Sequence, residues 1–172
     1  MLDVKAATLI SLEEYLDRSY SPDCEFRDGE LVERNVGEAA HASLQALLGA
    51  YLHGRRKSWK IYSYASLRVK VREKRYAIPD VCIYPAPKFE GRYPDRPPLL
   101  WIEILSHDDR MVDVWAKADE LVSHGVPYVW IIDPNTLNSE LRTAAGILPV
   151  EDRTLRIPNT RIVIPLAEVM EQ

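Results

Sequence analysis

Two apolar stretches, Ala77–Tyr84 (AIPDVCIY) and Leu99–Leu105 (LLWIEIL), decide the fold. Both have the length of a β-strand and are rich in the β-branched and aromatic residues that favour strands. Each contains one acid, Asp80 in the first and Glu103 in the second, among neighbours that predict burial. A buried carboxylate is costly unless it is paired, protonated or bound to a metal. The two acids therefore predict a metal site, unless Asp80 caps a turn and Glu103 pairs with a buried lysine or arginine.

The segments on either side predict how these stretches are built into a sheet. Asp28-Gly29 separates Cys24–Arg27 from Glu30–Glu33 and predicts a β-hairpin, because both turn residues need a positive φ. Downstream, Ser106–His124 has the pattern of a helix and Tyr128–Ile132 that of a strand buried on both faces. Strand, helix and strand in this order predict a right-handed crossover between parallel strands.

The bulk composition is that of an ordinary globular protein. With 172 residues, 47% hydrophobic and 28% charged, we expect a single domain spanning residues 1–172. No apolar run is long enough for a bilayer, and Met1–Lys5 does not open a signal peptide, so we expect no membrane partner. Cys24 and Cys82 lack CxxC spacing, which predicts reduced, buried thiols and a cytoplasmic protein.

The net charge of −4 argues against a dedicated nucleic-acid binder, which usually carries a basic excess. It is compatible with an enzyme that has a local basic patch, because the patch sets the local field. Arg68, Lys70 and Arg72 alternate with apolar residues and predict a strand with one cationic face. Such a face can bind phosphates, or it can be a charged edge that resists aggregation.

If the two acidic strands pair, Asp80 and Glu103 can converge on one hard cation. Magnesium prefers oxygen ligands and usually takes only one or two protein carboxylates, with water and substrate phosphate completing its shell. Such a site can activate water and stabilise the charge on a phosphate during cleavage.

Four further residues are candidates for the site. Lys117, on the helix after the Glu103 strand, can orient a nucleophile, and Asp113 one turn earlier can orient Lys117. The alternative is an exposed ion pair between these two residues. Glu33 ends the hairpin and His41 opens the next helix, and either can join the site or be an ordinary surface acid and boundary histidine.

In this order, these motifs resemble the Uma-type restriction endonuclease family within the PD-(D/E)xK nuclease superfamily. The resemblance covers about Glu25 to Pro134 and rests on ordered segments: Phe26–Glu33 (FRDGELVE), His41, Ile78–Val81 (IPDV), Trp101–Ser106 (WIEILS), Asp113-x-x-x-Lys117 and Gly125–Pro134 (GVPYVWIIDP).

The resemblance implies an α/β (α+β) fold, restriction-endonuclease-like, in which helices flank a mixed β-sheet preceded by the hairpin. It implies that Asp80 and Glu103 bind Mg²⁺ or Mn²⁺ and that the protein is an endonuclease hydrolysing DNA. The superfamily's usual E-x-K lysine would stand where this chain has Leu105, and the family pattern resembles a lysine moved to the following helix, which Lys117 fits.

Two departures from the family concern the approach of the substrate. Ser106-His-Asp-Asp109 replaces the common Ser-Pro-Ser/Thr, and Leu121 replaces a tyrosine one turn after the lysine. A catalytically inactive nuclease fold, acting as a DNA-binding or protein-interaction module, is therefore the second interpretation, and a nuclease of RNA or of damaged or branched DNA is a third. A homodimer is expected because cleavage of two strands suits paired sites.

Overall fold

The computed structural model describes residues 9–35 and 37–171 of the chain. The expectation about Met1–Lys5 therefore lies outside the described residues. The helices of the described part are α1 (Leu12–Asp17), α2 (Ala39–Trp59), α3 (Met111–Ser123) and α4 (Leu166–Met170), with a 3₁₀ turn at Glu151–Arg153. None of these helices is both long and apolar enough to cross a lipid bilayer.

The strands of the described residues form three sheets. They are β1 (Cys24–Arg27), β2 (Glu30–Glu33), β3 (Ile61–Ala65), β4 (Val69–Arg72), β5 (Arg75–Ala77), β6 (Val81–Pro85), β7 (Leu100–Ile104), β8 (Tyr128–Ile132), β9 (Ser139–Thr143), β10 (Gly146–Pro149), β11 (Thr154–Arg156) and β12 (Val163–Pro165). The large mixed sheet has the order β10-β9-β8-β7-β6-β3, an antiparallel sheet has the order β2-β1-β5-β4, and β11 pairs with β12.

The crossover predicted from the sequence is present. β7 and β8 pair in parallel, and α3 connects them. Both strands are almost completely buried because helices cover both faces of the large sheet at this point. One face packs against α2, α4 and the β11–β12 pair, and the opposite face packs against α3.

The hairpin and the first helix also follow the local sequence. β1 and β2 pair in antiparallel register around Asp28 and Gly29, whose φ angles are 52° and 98°. The side chain of Ser11 caps α1 by accepting a hydrogen bond from the backbone of Glu14 at 3.0 Å. Both cysteines are buried free thiols.

The helix that carries Lys117 is shorter than predicted. The sequence pattern predicts a helix from Ser106, whereas α3 begins at Met111. Asp109 accepts a hydrogen bond from the backbone N–H of Ser106 at 2.7 Å, and this contact holds the preceding residues in a turn. Asp109 therefore stabilises a turn that precedes the helix.

The two larger sheets meet next to Asp80. Residues 78–80 connect β5 of the antiparallel sheet directly to β6 of the mixed sheet. The hairpin, β7, α3 and the loop between β2 and α2 all contribute side chains to a cavity at this junction.

Candidate active site

The cavity at the junction of the two sheets has a volume of about 650 Å³. It collects residues that are far apart in the sequence, and among the predicted site residues Glu33, His41, Asp80, Glu103, Asp113, Lys117 and Arg72 line it. Two residues that the sequence analysis did not propose, Glu25 and Arg34, line it as well.

Asp80 is held rigidly at the base of the cavity. Its side chain is only 3% exposed, and its Oδ2 accepts hydrogen bonds from the backbone N–H of Ile104 at 2.7 Å and from Nε2 of His41 at 3.2 Å. Its Oδ1 accepts a hydrogen bond from Nη2 of Arg34 at 2.6 Å. Although burial alone would raise the pKa of Asp80, the hydrogen bond from His41 and the charge of Arg34 lower it below its usual range.

Asp80 and Glu103 both line the cavity where β6 pairs with β7. Val81 of β6 pairs with Ile102 of β7 in antiparallel register, and Asp80, which directly precedes β6, donates its backbone N–H to the carbonyl of the same Ile102 at 3.1 Å. The carboxylate of Asp80 accepts a hydrogen bond from the backbone N–H of Ile104, the residue after Glu103, at 2.7 Å. The pairing of the two acidic strands, on which the predicted site depends, is present.

Glu103 is bound by Lys117 from the following helix. Nζ of Lys117 lies 2.6 Å from Oε1 of Glu103, and Nε1 of Trp101 donates to the same oxygen at 2.6 Å. Leu105, at the E-x-K position, follows β7, so α3 supplies the amine that this strand lacks. Burial and the nearby carboxylates raise the pKa of Glu103 above its usual range despite the charge of Lys117.

Glu25 is a second acid bound to Lys117. Nζ of Lys117 lies 2.8 Å from Oε1 of Glu25, and Nη2 of the fully buried Arg75 lies 2.7 Å from Oε2. Burial opposes ionisation of Glu25, but Lys117 and Arg75 lower its pKa to about 2. Burial by itself would lower the pKa of Lys117, yet the carboxylates of Glu103 and Glu25 raise it above its usual range. Lys117 is therefore a charged donor that two acids hold in place.

A family model matches residues 12–158, and the description of that family is "Putative restriction endonuclease". The chain belongs to this family, Uma2. A solved structure, of a "putative nuclease belonging to DUF820" from Anabaena variabilis ATCC 29413, superposes with a TM-score of 0.77 over 94% of this chain and 98% of that chain. At 18% sequence identity, this likeness is one of fold. No curated protein matches the chain.

These comparisons confirm the family named from the sequence motifs and the mixed α+β fold that it implies. The family belongs to the nucleases by its description, which agrees with the class of enzyme expected from the sequence. The roles of individual residues of this Uma2 chain rest on the geometry of the cavity.

Asp113 does not contact Lys117 in this Uma2 chain. Its side chain is 69% exposed, and its described ion pair is with Arg110 at 3.8 Å. The expectation that Asp113 orients Lys117 does not match this arrangement. Two strand carboxylates, Glu25 and Glu103, bind the ammonium group of Lys117 instead. Glu33 is exposed at the cavity wall, where no described residue bonds its carboxylate.

The predicted cationic face is divided between two environments. Arg68 is buried, and its guanidinium donates to the carbonyls of Tyr15 and Arg18 and to Asp23, so it is not available to phosphates. This corrects its assignment as a nucleic-acid-binding residue, because the N-terminal segment covers it. Lys70 is exposed, and Arg72 lines the cavity while pairing through two hydrogen bonds with Asp28.

Asp80 and Glu103 fit a hard cation better than a soft one. No three or more His, Cys, Asp or Glu side chains in residues 9–35 and 37–171 are grouped to hold a metal ion. A hexacoordinate cation that keeps most of its waters needs only one or two carboxylates, however. Oε2 of Glu103 accepts no hydrogen bond from any described residue. The lining also has an excess of acids, since Glu25, Glu33, Asp80, Glu103, Asp109, Asp113 and Glu120 face only Arg27, Arg34, Arg72 and Lys117.

The alternative to a metal site, that the two acids are compensated by other residues of the chain, also agrees with contacts in the structure. Glu103 is paired with Lys117, as that alternative expected, and Asp80 is paired with Arg34 instead of only capping a turn. Each of the two proposed metal ligands thus has a cationic partner.

His41 depends on a glycine for its position. A Cβ atom at Gly37 would lie 2.6 Å from Nδ1 of His41, which is closer than nonbonded atoms approach. Nδ1 is buried, with no hydrogen-bond partner in the described part of the chain, while Nε2 holds Asp80. The hydrogen bond with Asp80 raises the pKa of His41, although burial opposes this shift.

We expect Gly37→Ala to lower the free energy of unfolding by about 1–3 kcal/mol, because the added methyl group must displace the buried ring of His41. Urea denaturation measures this change. Gly54→Ala is the control, since a Cβ there meets no atom within 4 Å and Gly54 lies inside α2, where alanine favours the helix. Equal stability of Gly37→Ala and the unchanged protein would contradict the close contact.

Proposed function

We propose that this protein is a metal-dependent endonuclease that hydrolyses phosphodiester bonds of DNA. The observation that carries this proposal is the convergence of Asp80, Glu103 and Lys117, which come from a sheet junction, a central strand and a helix, on one open cavity. The family description supports nuclease activity, and the acidic excess of the cavity supports the binding of a divalent cation.

In this proposal Asp80 and Glu103 hold a Mg²⁺ or Mn²⁺ ion. A bound divalent ion lowers the pKa of a water molecule and neutralises charge on the phosphate. The backbone N–H of Ile104 and His41 fix the orientation of Asp80, and Lys117 and Trp101 fix Oε1 of Glu103, which leaves Oε2 free for the ion.

Lys117 acts as a donor in this scheme. Because two carboxylates hold its ammonium group, it can orient the attacking water and stabilise negative charge on the phosphate. Glu25 and Arg75 form a buried support behind it. Lys70 and Arg72 lie on β4, and Arg72 also lines the cavity. They are the cations proposed to contact the DNA backbone.

One observation favours a second function, that of a nuclease fold which binds nucleic acid or protein without cleavage. Both proposed metal ligands already have cationic partners, Arg34 for Asp80 and Lys117 for Glu103. Metal binding decides between the two functions.

The test is cleavage of supercoiled plasmid, single-stranded DNA and RNA with Mg²⁺ or Mn²⁺, alongside calorimetric titration with each metal. We expect Asp80→Asn and Glu103→Gln each to reduce cleavage by at least about 100-fold and to weaken metal binding, because each removes one charged ligand. Glu90→Gln, an exposed acid in the loop before β7, is the matched control.

Cleavage that survives both substitutions would overturn the proposed site. Metal-independent binding of DNA without cleavage would favour the second function. Cleavage of RNA alone would keep the site and change the substrate.

A further inference from the structure

Arg34 donates a hydrogen bond to Oδ1 of Asp80, a proposed metal ligand. It directly follows β2, in the connection that leads to α2, and its side chain is 22% exposed. Its Nη2 lies 2.6 Å from Oδ1 of Asp80, the oxygen that neither His41 nor the backbone of Ile104 engages. The sequence analysis gave Arg34 no role.

A cation that approaches Asp80 from the cavity meets a carboxylate that already accepts hydrogen bonds from these three donors. The N–H of Ile104 belongs to a central strand, and His41 is buried on α2 and backed by Gly37. Arg34 has a long side chain, is partly exposed and lines the cavity. It is the donor that can leave without disturbing the sheet or the helix.

We propose that Arg34 competes with the divalent ion for Asp80 and so controls loading of the site. This inference rests on the proposed function, because it takes Asp80 as a metal ligand. A guanidinium and a divalent ion repel each other strongly when both contact the same carboxylate oxygen, so we expect only one of them to bind Oδ1 at a time.

Displacement places a free guanidinium in a cavity whose lining is otherwise acid-rich. Such a lining repels DNA phosphates, whereas a guanidinium binds them with two parallel hydrogen bonds. Loading of the ion and attraction of the substrate are thereby coupled through Arg34.

The test measures binding of Mn²⁺ by the intensity of the free-ion electron paramagnetic resonance signal, which does not depend on cleavage. We expect Arg34→Gln and Arg34→Met to bind Mn²⁺ about tenfold more tightly, because the ion no longer displaces a charge-assisted hydrogen bond. Arg34→Lys keeps the charge and should stay within about threefold of the unchanged protein.

Arg27→Gln is the matched control for charge. Arg27 lines the same cavity and its described ion pair is with Glu120, at 3.9 Å, so its loss removes one positive charge without touching Asp80. Asp80→Asn shows that the measured ion binds at this site. Thermal unfolding of each variant confirms that it is folded.

Tighter binding confined to the neutral Arg34 variants supports the competition. If Arg27→Gln binds Mn²⁺ more tightly by the same factor, a general charge effect explains the result and the competition by Arg34 is overturned. Unchanged affinity in the Arg34 variants, with binding still lost in Asp80→Asn, would overturn the competition and leave the metal site intact. Absence of Mn²⁺ binding in all proteins would overturn the proposed function and the competition together.

The second half of the proposal is tested by anisotropy of a fluorescein-labelled DNA duplex in Ca²⁺. Arg34→Gln is expected to bind the duplex several-fold more weakly than the unchanged protein, although it binds Mn²⁺ more tightly. If Arg34→Gln binds the duplex as tightly as the unchanged protein or more tightly, the proposal that displaced Arg34 binds a DNA phosphate is overturned.

Discussion

Replacing Lys117 with methionine is expected to lower the free energy of unfolding by about 3 kcal/mol or more. Lys117 is the common partner of Glu25 and Glu103, whose side chains are only 7% and 15% exposed. Its loss leaves two buried carboxylates with less compensation, and this penalty exceeds the value of a surface pair. Urea denaturation at pH 7 measures the change.

The control is Lys57→Met, an exposed lysine on α2, which should change stability by less than about 0.5 kcal/mol. Combining Lys117→Met with Glu25→Gln should cost less than the sum of the single changes, because one of the uncompensated acids is then neutral. If the two losses in unfolding free energy simply add, Glu25 and Lys117 do not stabilise each other.

The same substitution has a second expected result. If the protein is the proposed endonuclease, Lys117→Met should reduce the cleavage rate at saturating metal by about 100-fold or more, since a preorganised donor is lost. Lys117→Arg keeps the charge in a different shape and should retain part of the rate. An unchanged rate in Lys117→Met would remove Lys117 from the mechanism.

The contribution of Glu25 to stability is expected to disappear in acid. Its pKa in the folded protein is about 2, below the usual 4.5, because Lys117 and Arg75 stabilise its charged form. A depressed folded pKa gives stability that is fully present above about pH 4.5 and is lost as the pH falls through about 2. A shift of this size corresponds to roughly 3 kcal/mol.

Unfolding of the unchanged protein and of Glu25→Gln should therefore be compared between pH 7 and pH 2. We expect the difference in unfolding free energy to be largest near neutral pH and to shrink steadily below about pH 4.5. Glu90→Gln, an exposed acid, should show a small difference with little dependence on pH. A constant difference for Glu25→Gln over the whole range would contradict the lowered pKa.

Local sequence signals predicted most of the architecture that positions the cavity. The hairpin around Asp28 and Gly29 follows from backbone requirements within four residues. The parallel pair β7–β8 follows from hydrophobic runs separated by a helix. Two short strands, β5 and β10, were not predicted, because each depends on its partner strands.

The candidate site was predictable only in part. Asp80 and Glu103 stood out because each is an acid within an apolar run of the sequence. Glu25 lies in a short hairpin strand where alternation allows a polar residue, and Arg34 lies outside any regular element, so neither gave a local signal. Their partners are 92 and 46 residues away along the chain.

The sequence by itself determined most of the strands, where the hairpin turns, and that two acids in apolar surroundings need compensation. Only the tertiary structure decided which cations provide it: Lys117 for Glu103 and Glu25, and Arg34 for Asp80. It also decided that Asp113 pairs with Arg110 and not with Lys117, and that Arg68 is covered by the N-terminal segment. The physical reason is that strand and turn formation depend on neighbouring residues, whereas the partner of a buried charge depends on the way distant elements pack together.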